Sequence, residues 1–336
     1  MKKIVTFGET MVQHNAKYIG PLDKTKQHYK DCAGAESNFL VNLMTFGLEN
    51  IKCIWISRLG KDKAGQYISD TLSKNIDVIA KMYSNQKTGL SYLNHLSNGS
   101  HFKTYFRKGS AASKIQFSDI KPHLAEVEFL HVTGITPALS STALTTTLST
   151  LEYCKTQSIP ICLDVNYREQ LWDSNTARNV LEKMIPFATI FKVGFDEANT
   201  IWKTQKKPAN HFNYFNQLYN GLTIITNDSK GSFISDGSQI IQMEGVKVDV
   251  IDPVGAGDAF LAGFIGQLYR HTSIKDFFTL PHQQKTQLLK ECLKIGNICG
   301  ALTCTQYGDT QAMPNIKEIE QFMKINPSDG LLNLSC

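Results

Sequence analysis

The sequence predicts an α/β fold: a three-layer sandwich in which helices cover a mostly parallel central sheet, with a small β-sheet lid. Three observations predict it. Short apolar, β-branched runs alternate with helix-length segments along the chain. The runs are near-continuous in apolar residues, as strands buried on both faces are. One segment, Thr88 to Ala111, breaks the alternation with two strand-like arms around Asn98-Gly99, a pair that favours tight hairpins.

The strand candidates are KIVTFG (3–8), IKCIWISRLG (51–60), FLHVTG (129–134), IPICLDV (159–165), ATIFKVG (188–194) and LTIITN (222–227). Each ends at a glycine or polar residue, or just before one. Between them lie helical segments such as GAESNFLVNLMTFGL (34–48), AGQYISDTLSKN (64–75) and ARNVLEKMIPFA (177–188). Strands alternating with helices give parallel sheets, because each crossover returns along a covering helix.

In the Thr88–Ala111 segment, a two-residue Asn98-Gly99 turn pairs positions that sum to 197. Tyr92 then faces Tyr105 and Leu90 faces Arg107, so Tyr92, Tyr105 and Arg107 share one face. Two readings stand: an edge hairpin with an aromatic pair, or a lid that sets two phenols and a guanidinium over a ligand. KTQKKPAN (203–210) reads as a surface loop.

Composition excludes several classes. The chain has 336 residues, 42% hydrophobic and 19% charged, ordinary for a soluble globular protein. Its apolar runs are short of the ~18 residues of a membrane span. The run after the first lysines is too brief for a signal-peptide core, so a cytoplasmic protein is expected. Net charge is +5, without like-charged runs. That excess is too mild to imply nucleic acid, though it suits small anions. Eight cysteines with no C-x-x-C pair read as buried free thiols. The scattered histidines form no metal spacing.

The chemistry concentrates in DPVGAGDAFLAGFIGQLYR (252–270). After Asp258, apolar residues at Phe260, Leu261, Phe264, Ile265, Leu268 and Tyr269 mark one helix face. Gly255 and Gly257 then sit at its N-terminus, where free backbone N–H groups and the helix dipole attract an anion. An aspartate there repels a resident anion. It suits a transient one, as in phosphoryl transfer, where a carboxylate takes the proton of the attacking hydroxyl. The simpler reading is a helix cap.

This stretch resembles the C-terminal signature of the ribokinase-like sugar kinases, the PfkB family, and GAESNFLVNLMTFGL resembles their N-terminal, sugar-contacting signature. The resemblance covers nearly the whole chain. It implies one ribokinase-like domain over residues 1–325, with lid segments at about 12–33 and 88–110, and a tail at 326–336. Within the family, GAESN, YFRKGSAAS, HVTGITPAL and LDVNYREQLW look most like 2-keto-3-deoxygluconate kinases.

Residue by residue, the resemblance implies that Gly34 and Asn38 touch sugar hydroxyls. Tyr92, Tyr105 and Arg107 close from the lid, Arg168 joins them, and Asp309 of YGDT completes the pocket. Asp258 is the base, and the amides of Gly255, Ala256 and Gly257 form the anion hole. A keto-deoxy sugar acid carries a carboxylate, which Arg107 and Arg168 can bind bidentately. Arg168 has the alternative of a salt bridge to Glu169 or Asp173. Ala33 replaces the first glycine of the family's N-terminal pair and adds a methyl group near the sugar.

The resemblance also implies ATP and Mg²⁺, with ATP held by Asn166, Thr226, Ser229, Gly231, Gly255, Gly257 and Asn297. Asn166 and Asn297 have structural capping as an alternative. Two positions depart from the family. Asp228 stands where a glycine usually begins the loop beside the phosphates, and its side chain tolerates left-handed backbone. Gly194 replaces the asparagine of Asn-x-x-Glu, but Glu197 remains to orient Mg²⁺ through water; Asp196 and Glu197 could equally be first-turn helix acids. A monovalent cation near the anion hole is a further family expectation, and the edge strands that a β lid exposes, which commonly pair between subunits, make a homo-oligomer an expectation as well. The leading expectation is therefore an ATP-dependent kinase of 2-keto-3-deoxygluconate. The alternatives are a neutral-sugar kinase for fructose or ribose, a weak sugar or nucleotide sensor, and a nicotinamide dehydrogenase, which the late glycine motif disfavours.

Overall fold

A computed structural model describes residues 1–97, 101–203, 207–308 and 312–325. The expected tail at 326–336, Asp309, and the turn residues Asn98 and Gly99 lie outside them. The strands, in chain order, are β1 (Lys2–Phe7), β2 (Met11–Ile19), β3 (His28–Ala33), β4 (Ile51–Gly60), β5 (Asp77–Tyr83), β6 (Leu90–His95) and β7 (His101–Phe106). They continue as β8 (Val127–Thr133), β9 (Ile161–Asp164), β10 (Ile190–Gly194), β11 (Leu222–Thr226), β12 (Ser232–Ser235) and β13 (Ile240–Met243).

Nine strands form one sheet in the order β13-β12-β11-β10-β9-β8-β1-β4-β5. Every pair from β11 through to β5 is parallel; the pairs β11–β12 and β12–β13 are antiparallel, so β12 alone runs against the rest. All six expected strands lie in this sheet. Alternate residues feed two cores, which is why the runs are apolar throughout. Ile4, Trp55 and Phe129 face one core, under the helices Ala35–Met44, Ala256–His271 and His282–Thr303. Val5, Leu130 and Phe191 face the other, with Leu181 of Ser174–Met184. The strand ends of β9, β10 and β11 and the starts of two covering helices meet at one edge, which becomes the cleft.

The remaining strands form a separate four-stranded sheet, β3-β2-β6-β7. Its hairpin corrects one expectation. Ser91 pairs with Tyr105, Tyr92 with Thr104 and His95 with His101, so paired positions sum to 196. A two-residue turn cannot give that register, since residues 96–100, an odd number, separate the last pair. A one-residue slip turns a side chain to the opposite face. Tyr92 therefore does not share a face with Tyr105 and Arg107. Because β2 lies alongside β6, Tyr92 stacks on His14 with ring centroids 4.7 Å apart. Lys103, Tyr105 and Arg107 take the face toward the large sheet.

Among the described residues, no helix is long and apolar enough to cross a membrane, and the cysteines are free thiols.

Candidate active site

The helix Ala256–His271 starts one turn before its apolar face does. Its N-cap, Gly255, has φ +84°, a left-handed turn that glycine makes without steric cost. That turn sets Asp258 in the first helical turn, buried. Two side chains hold the carboxylate. Asn38, from the helix Ala35–Met44, donates Nδ2–H to Oδ2 at 3.1 Å, and Asn166 donates to Oδ1 at 3.3 Å. Asn166 follows β9 with φ +41°, a conformation asparagine tolerates better than most residues.

Beneath Asp258 lies a compact set of charges. Lys192 of β10 reaches both carboxylate oxygens of Asp164, on neighbouring β9, at 2.9 Å. Glu197 accepts the backbone N–H of Tyr167 at 2.7 Å and of Gly194 at 2.8 Å, the second as the N-terminal cap of its own helix. Burial, then the Asp164 charge, pushes Asp258 up to about 7, against the opposing pull of Lys192, Asn38 and Arg168. Glu197 is raised by burial and by Asp164. Burial works against charge on Lys192, but Asp164 and Glu197 outweigh it and hold the ammonium above its ordinary value.

Two cavities meet at Asp258. The larger, about 490 Å³, is lined by Asn166, Lys192, Gly194, Glu197, Thr226 and Asp228 among others. The smaller, about 60 Å³, is lined by Glu9, Ala33, Gly34, Asn38 and Arg107 among others. Lys103, Tyr105, Arg168, Val254, Gly255 and Asp258 border both. Gly34 is required by close approach: a Cβ there would sit 2.5 Å from the Glu9 carbonyl oxygen. Ala33, the family departure, does face the small cavity. Gly257 faces the larger one, with Lys192 Nζ 3.5 Å from where its Cβ would be.

The two arginines differ. Arg107 is ion-paired to Glu9 at 2.6 Å, both buried, and its guanidinium lies 5.4 Å from the Tyr105 ring. Arg168 donates to its neighbour's carbonyl, Tyr167 O, at 3.0 Å. Among the described residues it pairs with neither Glu169 nor Asp173, the alternative its sequence neighbourhood offered.

At the far wall of the large cavity, Thr226 ends β11, and Asp228 takes a left-handed φ of +45°. Ser229 and Gly231 follow in the same turn. Gly231 has φ +97°, and a Cβ would fall 2.1 Å from the Met243 carbonyl oxygen. Asn297 donates to the Glu244 carbonyl at 2.9 Å, tying its helix to the segment after β13; neither Asn297 nor Ser229 lines the two cavities. Tyr92 lines neither. Lys103, Lys192, Asp164 and Glu9 were not singled out from sequence. The signal available for Lys103 was its alternation with Tyr105 and Arg107.

A deep cleft under a β lid, with a carboxylate at a glycine-rich helix start between two cavities, is the architecture of a ribokinase-like phosphotransferase. A pfkB family carbohydrate kinase model matches residues 1–316, and the chain belongs to that family. It is 29% identical over 325 residues to 2-dehydro-3-deoxygluconokinase of Bacillus subtilis (strain 168), covering 95% of this chain and 94% of the relative. Similarity to 2-dehydro-3-deoxygluconokinase of Thermoproteus tenax is 26% over 335 residues, covering 96% and 95%. Among solved structures, an E. coli protein described as ribokinase II, in complex with ATP and Mg²⁺, superposes with a TM-score of 0.80. Its identity is 20%, and the match covers 97% of this chain and 100% of that one.

Proposed function

We propose that this carbohydrate kinase transfers the γ-phosphoryl group of ATP to the primary hydroxyl of 2-keto-3-deoxygluconate. The observation that carries the reading is the position of Asp258, held by Asn38 and Asn166 where the two cavities meet. ATP occupies the larger cavity; the sugar acid binds at the smaller, under Tyr105. That smaller cavity, about 60 Å³, takes the end that carries the reacting hydroxyl and not the whole molecule. Asp258 takes the hydroxyl proton as the alkoxide oxygen bonds to the γ-phosphorus, and the bond to the ADP oxygen breaks. The backbone N–H groups of Gly257 and Asp258, in the first helical turn, would stabilise the charge that develops on the transferring group; the Ala256 N–H, expected to join them, instead donates to the Pro253 carbonyl oxygen at 3.4 Å.

Arg168 binds the sugar carboxylate in this reading, and its lack of an acidic partner among the described residues supports that role. Likeness to two 2-dehydro-3-deoxygluconokinases supports the choice of substrate. Mg²⁺ accompanies ATP. Among the described residues no cluster of three or more His, Cys, Asp or Glu could cage an ion, which fits a magnesium bound chiefly by phosphates. Glu197 and Asp228, oxygen donors on the cavity wall, would hold it, Glu197 through water; the ion supplies charge neutralisation. The lid's edge strand β7 carries exposed Phe102 and Phe106, which supports pairing of lids in a cytoplasmic homo-oligomer.

One observation favours a second reading. Arg107 is already neutralised by Glu9, leaving one arginine for a carboxylate, so a neutral sugar such as fructose or ribose would also fit. ADP release with Mg-ATP and each of the three sugars separates the readings. Turnover confined to the keto acid supports the first. Turnover with fructose or ribose supports the second, and silence with all three moves weight to a sensor.

A further inference from the structure

The cations around the cleft are unequally committed. The larger cavity is bordered by Lys103, Arg168 and Lys192, and by Asp196, Glu197, Asp228 and Asp258. Lys192 is held by Asp164, and at the smaller cavity Arg107 is held by Glu9. Among the described residues, Arg168 and Lys103 make no ion pair with an acid. Both border both cavities.

Lys103 is the one of the two that comes from the lid. It pairs with Leu93 across the hairpin, and its ammonium lies 5.8 Å from the centre of the Tyr105 ring. The side chain is half-buried. Partly removing an ammonium from water without a counter-charge is unfavourable, and a bound anion relieves that. A triphosphate with one Mg²⁺ keeps excess negative charge, and four carboxylates already border its cavity. The point that Lys103 and Arg168 share with Asp258 and Gly255 is where a phosphoryl group crosses between cavities.

We propose that Lys103 is a lid-borne ligand of the γ-phosphate, so that the lid is drawn down by ATP and not by ADP. This rests on the kinase reading above. Lysine suits the task because its compact charge needs no fixed approach geometry, unlike an arginine fork. A lid held by the group being transferred is released when that group leaves the nucleotide, which joins product release to completed transfer.

The test is calorimetric titration with Mg²⁺ and either the ATP analogue AMP-PNP or ADP, on the full chain and on Lys103→Met. We expect Lys103→Met to bind AMP-PNP about tenfold more weakly and ADP within about twofold of wild type, with an unchanged melting temperature. Lys103→Arg should recover most of the lost preference, and Lys103→Gln, which keeps a polar side chain on the strand, should behave like Lys103→Met. Equal weakening of both nucleotides, or no change in either, overturns the assignment. A raised KM for the sugar with nucleotide affinities unmoved also overturns it and makes Lys103 a substrate ligand. A wild type that binds neither nucleotide overturns the kinase reading itself and this assignment with it.

Discussion

Asn38 Nδ2 donates a hydrogen bond to Asp258 Oδ2 at 3.1 Å, joining residues 220 positions apart in the chain. It ties the first turns of two helices that pack on the same face of the sheet. The contact orients the carboxylate and favours its ionised form.

That gives a pH prediction. Asp258, held up at about 7, must be ionised to accept a proton. We expect kcat/KM to rise about tenfold per pH unit below that value and to level off above it. Asn38→Leu removes a hydrogen bond that lowers the pKa, so the rising limb should move to higher pH. A pH–rate profile checks both, and a wild-type limb centred near an ordinary carboxylate value would contradict the assignment.

The same group sets a stability prediction. Its folded pKa lies above its unfolded one, so protonated Asp258 is stabilising at low pH. That contribution is lost as pH rises from the ordinary carboxylate range through about 7. Asp258→Asn should be the more stable protein at pH 8, by about 2 kcal/mol, with the gap closing toward pH 5. Thermal melts at the two pH values measure it.

The arginines should separate by readout. Arg168→Leu leaves no described acid unpaired and should raise KM for the keto acid at least about tenfold, with little change in melting. Arg107→Leu strands Glu9, which is buried and only 1% exposed at its side chain. It should destabilise the protein by about 3 kcal/mol whichever sugar is used. Parallel kinetics and melts would show an inverted pattern if the roles were reversed.

At Gly231, alanine meets both a left-handed backbone and the Met243 carbonyl oxygen. Gly231→Ala should cost about 2–4 kcal/mol and weaken nucleotide binding together with stability. Denaturant midpoints would report a neutral substitution if the turn could relax.

The central sheet was legible because a strand buried on both faces has to be apolar along its length, and the six runs from KIVTFG to LTIITN are. The lid register was not. Asn98-Gly99 favours a two-residue turn by itself, but the pairing of His95 with His101 requires an odd-length connection, and Tyr92 lies beside His14 on the neighbouring strand. Asp258 and its glycines stood out locally as an acid at an anion-binding helix start. Their partners Asn38 and Asn166 were reachable only through family resemblance. Glu9 and Lys192 escaped notice because nothing in their neighbourhoods says which buried charge each will meet. Lys103 was within reach by strand alternation, but its importance comes from the two cavities it borders.

The most direct test of the central claim, that Asp258 is the base between the two cavities, is a single-turnover measurement on Asp258→Asn. Mg-ATP and 2-keto-3-deoxygluconate would both be in excess of their dissociation constants. The predicted result is a fall in transfer rate of about 10³-fold, with affinity for the sugar acid nearly unchanged. A variant that keeps more than about a tenth of the wild-type rate, well outside the range for loss of a general base, would contradict it.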